Sequence, residues 1–140
     1  VGQILAGHFK SEVPGQLRNL VSQGHLGRKS GKGIYAYRKG KPVRRRAPGK
    51  DSYDLDEIRD RLMLRLINES VACLREGVVE DADLLDAGMI FGTGFAPFRG
   101  GPLHYVKDTG KETIEGRLEA LTTRFGPRFS PDPGWATLSL

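Results

Sequence analysis

Cysteine is nearly absent from this chain: Cys73 stands alone among 140 residues. A single thiol excludes an internal disulfide and suits a reducing compartment, so a cytoplasmic setting is expected. Cys73 falls on a predicted helix and reads as a small core hydrophobe rather than a reactive thiol. Long apolar runs are missing as well. None approaches the length that crosses a bilayer as a helix, and no signal-peptide pattern occurs. Acidic residues are scarce in one region: residues 1–53 hold 12 Lys/Arg against 2 Asp/Glu, a net +10, whereas residues 54–140 carry −5. The basic part can attract phosphates. The acidic part argues against a chain built throughout to bind nucleic acid.

Catalytic patterns are missing too. His8, His25 and His104 are scattered, with no Cys or His partner at metal spacing, so no metal site is expected. No G-x-S-x-G occurs, and Cys73 has no evident base. Asp81, Asp83 and Asp86 are spaced like helix-start residues that complement a dipole. No catalytic residue is assigned to this chain.

One stretch organises what is present: Gly92-Thr93-Gly94-Phe95-Ala96-Pro97-Phe98-Arg99-Gly100-Gly101-Pro102-Leu103-His104-Tyr105. Its glycines and prolines impose a defined excursion between two helices. Its rings are too apolar for a solvated linker, so Phe95 and Phe98 are expected to plug a core. Pro102 suits the first position of a new helix. Gly92-Thr93-Gly94 opens like a dinucleotide fingerprint, but Pro97 holds the last glycine position and a helix, not a strand, precedes it. A structural turn is the reading kept.

In chain order, residues 1–13 are ambiguous, and the first residues read as mid-element, so a piece of a longer protein is expected. Pro14 to Gly24 is helical, with Leu17, Leu20 and Val21 on one face. Gly27-Arg28-Lys29-Ser30-Gly31-Lys32-Gly33 is a basic glycine loop that fails the Walker spacing. Arg28, Lys29 and Lys32 are nonetheless candidates to touch phosphate, with a solvated turn as the alternative. Ile34-Tyr35-Ala36-Tyr37 reads as extended. Residues 38–53 carry seven Lys/Arg, two prolines and two glycines and read as a basic linker. Arg44, Arg45 and Arg46 lack the interleaved rings of a nucleic-acid arm.

Asp54 and Glu57 open a long helix in capping-box fashion. Leu55, Ile58, Leu62, Leu66, Ile67, Val71 and Leu74 form its expected apolar stripe, with Arg59, Arg61, Arg65 and Glu69 opposite. Gly77 ends it. Asn68 in mid-helix is a candidate to bond a neighbouring loop, the aromatic stretch foremost. A second helix runs from Asp81 or Asp83 to Gly92, a short one from Pro102 to Gly110, and a last one through Ile114, Leu118, Leu121, Thr122 and Phe125 to Gly126-Pro127. The tail from Phe129 to Trp135 is expected to be extended and to pack back on the bundle. The fold class is all-α: a helical bundle with a basic loop and a short extended segment at its N-terminal end.

Two motifs point further. Gly27-Arg28-Lys29-Ser30-Gly31-Lys32-Gly33-Ile34-Tyr35 resembles the motif that closes the C-terminal domain of 3-hydroxyacyl-CoA dehydrogenases. Asn68-Glu69, Glu76-Gly77, Asp83, Gly92-Thr93-Gly94-Phe95 and Arg99-Gly100-Gly101-Pro102-Leu103 resemble a second copy of that domain. Such a copy is found in the multifunctional fatty acid oxidation complex alpha subunits. The resemblance covers about 15–37 and 54–135. It implies the end of copy one over 1–37, a linker over 38–53, and copy two over 54–140.

A parent of this family would fuse an enoyl-CoA hydratase to a dehydrogenase that oxidises 3-hydroxyacyl-CoA with NAD in fatty acid β-oxidation. NAD would be bound by the parent and not by this part. The implied partners are the preceding dehydrogenase domains, an acyl-CoA substrate touched through its phosphate at Arg28, Lys29 and Lys32, and a thiolase subunit. No nucleic-acid partner and no membrane span are implied. The family's catalytic His–Glu pair would precede this chain. The position matching its catalytic Asn holds Asp60, followed by Arg61, so the second copy is expected to buttress the site without chemistry of its own. Two other classes remain open from the residues: an independent helical dimerisation module, and a basic nucleic-acid-binding module using Arg44–Arg46.

Overall fold

A computed structural model describes residues 2–8, 12–43 and 53–140. The chain divides into two compact units, Val1–Gly49 and Lys50–Leu140.

The first unit holds helix α1 (Gly2–His8), helix α2 (Gly15–Ser22), a 3-10 turn (Arg28–Ser30) and a hairpin of β1 (Tyr37–Arg38) and β2 (Lys41–Pro42). The hairpin pairs Tyr37 with Pro42 and Arg38 with Lys41. Residues 38–42, which the composition assigns to a linker, therefore carry backbone pairing. Lys39 and Gly40 turn the chain with positive φ, which matches the twist of a two-residue hairpin loop. The extended segment lies at 37–38 rather than at 34–37: Ile34 and Tyr35 are exposed. The expected apolar face of α2 is also exposed at Leu17 and Val21. Arg44–Arg46 and the rest of the linker to residue 52 lie outside the described residues.

The second unit is a helical bundle: α3 (Leu55–Arg75), α4 (Ala82–Thr93), α5 (Pro102–Thr109) and α6 (Lys111–Phe125), with 3-10 turns at Pro97–Arg99, Pro127–Phe129 and Pro133–Thr137. The described residues are predominantly helical, with one two-stranded hairpin, so the class is all-α. None of the described helices is long and apolar enough to cross a membrane.

Helix α3 is the axis of this bundle and packs on α5, α6 and both tail turns. The Asp54 side chain accepts the Glu57 N–H at 3.0 Å, which satisfies one of the free donors at the helix start. Glu57 does not return the bond of a full capping box. Its carboxylate meets Arg124 of α6 at 2.6 Å instead. At the other end Gly77 takes a left-handed φ of 69°. Gly77 N–H then donates to Leu74 C=O at 3.1 Å and Val78 N–H to Cys73 C=O at 3.0 Å, closing the helix carbonyls.

The core consists of Leu64, Ile67 and Val71 of α3, Leu85 of α4, Leu103 and Val106 of α5, Ile114, Leu118 and Leu121 of α6, and Phe129 and Trp135 of the tail. This corrects the expected stripe on α3. Leu64, absent from it, is fully buried, while Leu55, Ile58 and Leu62 are exposed. The turn after α4 also divides its rings. Phe95 is buried, but Phe98 is 84% exposed and plugs no core. Pro97 starts a 3-10 turn there, and Phe98 is carried out on it.

Candidate functional site

The basic loop of the first unit is shaped by Ser30. Its Oγ accepts the Leu26 N–H at 2.9 Å and lies 3.1 Å from Gly27 C=O and 2.8 Å from Lys32 C=O. Gly27 N–H donates to Lys32 C=O at 2.8 Å, and Gly31 C=O accepts Tyr37 N–H at 2.8 Å. The loop is thus folded upon itself and tied to the hairpin. Arg28, Lys29 and Lys32 are exposed on it. The Arg28 guanidinium lies against Gly40 of the hairpin turn, 3.2 Å from where a Cβ there would sit. Three cations on one ordered loop make a surface that phosphate oxygens can approach.

In the second unit Asn68 is 4% exposed and organises the tail. Its Nδ2 donates to Ser130 C=O at 3.0 Å. Its Oδ1 accepts Asp132 N–H at 2.9 Å and Trp135 Nε1–H at 2.7 Å. The amide bonds a loop, as its mid-helix position suggests, but the loop is 130–135 and not the aromatic stretch. Seven residues on, Arg75 projects from the same stripe of α3. Its Nε meets Asp132 Oδ1 at 2.7 Å and its Nη2 meets Oδ2 at 3.0 Å, a two-pronged ion pair. Asp132 Oδ1 also accepts Gly134 N–H at 2.7 Å. The Arg75 guanidinium, then the Gly134 N–H, hold the Asp132 carboxyl below its ordinary pKa, against the opposing effect of burial. The tail forms 3-10 turns rather than an extended strand, and it does pack back. Trp135 is 1% exposed. Glu69, beside Asn68, faces solvent and pairs with Arg65 at 3.2 Å.

The glycine-rich turn is held by Asp86. This carboxylate is buried on α4, not exposed at its start. Its Oδ1 accepts Leu103 N–H at 2.7 Å and its Oδ2 accepts His104 N–H at 2.8 Å. Pro102, at the first position of α5, has no N–H to satisfy. Asp86 therefore caps the next helix across the turn. Gly101 has a φ of 113°, and a Cβ there would fall on the Asp86 side chain. Both the conformation and the close approach require glycine. Gly94 caps α4 with a left-handed φ, and Gly100 does the same for the Pro97–Arg99 turn. Gly92 lies within the last turn of α4. Arg99 is exposed, its guanidinium 5.5 Å from the Phe98 ring centre and 5.7 Å from that of Tyr105.

Gly94, Asp86 and Asn68 of the second unit therefore serve three jobs: closing α4, capping α5 and docking the tail. The spacing of Asp86 to the 102–104 turn could not be read as a cap, because the contact spans 17 residues. Among the described residues no group of three or more His, Cys, Asp or Glu side chains is placed to hold a metal ion. Cys73 is half-buried, and burial pushes its thiol pKa up, with Glu69 and Glu76 adding to the effect.

These contacts define an all-α module in which Asn68, Asp86, Gly94 and Gly101 hold the turns and the tail in place. Its sequence is similar to part of several curated proteins. Fatty acid oxidation complex subunit alpha from Shewanella sp. (strain ANA-3) is 35% identical over 136 residues, spanning 87% of this chain. The same subunit from Idiomarina loihiensis is 37% identical over 131 residues, and that from Shewanella oneidensis is 34% identical over 132 residues, covering 87% and 86% of this chain. The chain is thus a homologue of part of the C-terminal region of fatty acid oxidation complex alpha subunits. It spans only 18–19% of the length of these curated relatives. No family model matches it.

Proposed function

We propose that this chain is the C-terminal part of a multifunctional β-oxidation enzyme, an enoyl-CoA hydratase fused to an NAD-dependent 3-hydroxyacyl-CoA dehydrogenase. In this reading it supports the dehydrogenase site and performs no chemistry alone. The motif residues support it. Asp86, Gly94, Gly100 and Gly101 are occupied with capping and turning, and Asn68 with docking the tail. Asp60, at the position that corresponds to the family's catalytic Asn, is engaged by Arg59 at 3.1 Å. NAD would be held by the preceding domain of the parent. The helix that leads into Gly92-Thr93-Gly94 does not offer the strand a dinucleotide fingerprint needs.

The unit's exposed apolar surface favours a packing role. An apolar groove of about 500 Å³ runs between α3 and α4, floored by Leu66, Leu85 and Met89 and flanked by exposed Leu62, Val78 and Leu84. We read this face as the one that meets the preceding domains, in the place of a second subunit. The cations of the Arg28–Lys32 loop would reach the phosphate of a bound acyl-CoA. A helical dimerisation module is the second reading, since the same groove could pair two copies. Sedimentation distinguishes the two. The chain should be monomeric alone and should bind an alpha subunit truncated to lack the homologous segment. Leu62→Asp with Leu84→Asp should abolish that binding without unfolding the chain. A stable homodimer indifferent to the truncated subunit would reject the proposal in favour of the second reading.

A further inference from the structure

The unit Lys50–Leu140 contains a second cavity, of about 730 Å³, bounded by the first half of α3, the turn after α4, α5 and α6. Three guanidinium groups line it: Arg59, Arg99 and Arg117. Two of them converge on one carboxylate. Asp60 Oδ1 lies 3.1 Å from Arg59 Nη2, and Asp60 Oδ2 lies 3.9 Å from Arg117 Nη1. Arg59 also reaches Asp56 Oδ1 at 2.8 Å. Asp56 and Asp60 are thus the acidic groups beside the cluster. The Arg117 contact is long for a charge-assisted bond, so its donors are incompletely used.

Arg99 differs from the other two. Its recorded partners are the rings of Phe98 and Tyr105, and no ion pair joins it to a carboxylate of the described residues. Cation–π attraction at these distances consumes none of the guanidinium N–H groups, which stay available to oxyanions. Phe98 presents its ring to solvent at the same cavity. On its 3-10 turn Phe98 adds nothing to the core, and its exposed ring offers a flat apolar face.

We propose that this cavity binds a nucleoside phosphate, with the base stacked on Phe98 and the phosphate held by Arg99 and Arg117. The two halves of the site argue for one ligand. A bare inorganic anion has no use for the ring, and a neutral aromatic has no use for the guanidiniums of Arg99 and Arg117. Guanidinium forks match phosphate oxygens, and base–aromatic stacking tolerates any base. Asp60 acts as an internal competitor, occupying the space between Arg59 and Arg117 until a phosphate displaces it. The site owes nothing to a glycine fingerprint and is lined by residues of Lys50–Leu140 alone, so it does not depend on the function proposed above.

The test is calorimetric titration of the full 140-residue chain with ADP at low salt, with adenosine and inorganic phosphate as separate probes. Saturable ADP binding is expected, tighter than either probe alone. Arg99→Ala and Phe98→Ala should each weaken it roughly tenfold, as expected for one charge-assisted hydrogen bond or one stacked base. Both residues are exposed, so the variants keep the fold, which circular dichroism checks. Asp60→Asn should tighten binding by removing the competitor. Absence of saturable ADP binding would overturn the proposal. So would ADP binding unaffected by Arg99→Ala and Phe98→Ala, or inorganic phosphate binding as tightly as ADP.

Discussion

Replacing Asn68 by Leu keeps the side chain's bulk and removes its polar atoms. Two donors, Asp132 N–H and Trp135 Nε1–H, and one acceptor, Ser130 C=O, would lose their partner at once. Each neutral hydrogen bond contributes about 1 kcal/mol net, so the three together are worth about 3 kcal/mol. The cost rises if the buried indole N–H finds no water, because desolvation of an unpaired group costs about 1–3 kcal/mol. Against a total of about 5–15 kcal/mol for a small domain, that is a large fraction. Trp135 is the chain's one tryptophan and lies at the affected contact, so its fluorescence reports the tail directly. Urea unfolding followed by that emission should show a midpoint lower by about 1–3 M, for a slope of about 1–3 kcal/mol per M. Native emission at zero urea should shift to the red as the indole meets water. An unchanged midpoint with unshifted emission would refute the claim that Asn68 holds the tail.

Four further outcomes follow from the geometry. Gly101→Ala should destabilise the chain by about 2 kcal/mol or more in thermal melts, since it adds a Cβ at positive φ against Asp86, and Asp86→Ala should cost about 1–2 kcal/mol through loss of the α5 cap. The folded-state pKa of Asp132 is depressed, so its pairing with Arg75 stabilises the fold above the ordinary carboxylate pKa and is lost as pH falls below it. The stability gap between the chain and its Asp132→Asn variant should therefore be full at neutral pH and shrink below about pH 4, as measured by urea midpoints across a pH series. The Cys73 thiol, raised by burial, should react with iodoacetamide at pH 8 more slowly than a free cysteine, and an equal rate would contradict its half-buried placement.

Much of the second unit was legible in its residues. Asp54, Asp81, Pro102, Gly77 and Gly126 mark helix ends by local chemistry, and local chemistry is what a sequence displays. Position on a face was less legible. Leu55, Ile58 and Leu62 fit a helical period yet stay exposed, because which side of α3 is covered depends on α5, α6 and the tail. Phe98 has the composition of a core residue, but Pro97 starts a tight turn that carries it outward. The two side chains that fix the bundle, Asn68 and Asp86, each act across many residues. A mid-helix Asn signals only that some partner exists. The partner itself, the 130–135 turn, becomes visible once the helices are packed. The basic loop was legible as a composition, whereas its closure by Ser30 required the geometry.

The supporting role itself is tested most directly by activity on mixing. NAD-dependent oxidation of 3-hydroxybutyryl-CoA would be followed for the chain alone, for an alpha subunit truncated to lack the homologous segment, and for the two together. The account predicts no turnover by the chain alone and a gain in the truncated subunit's turnover when the chain is added. Turnover by the chain alone, or a truncated subunit indifferent to its addition, would contradict it.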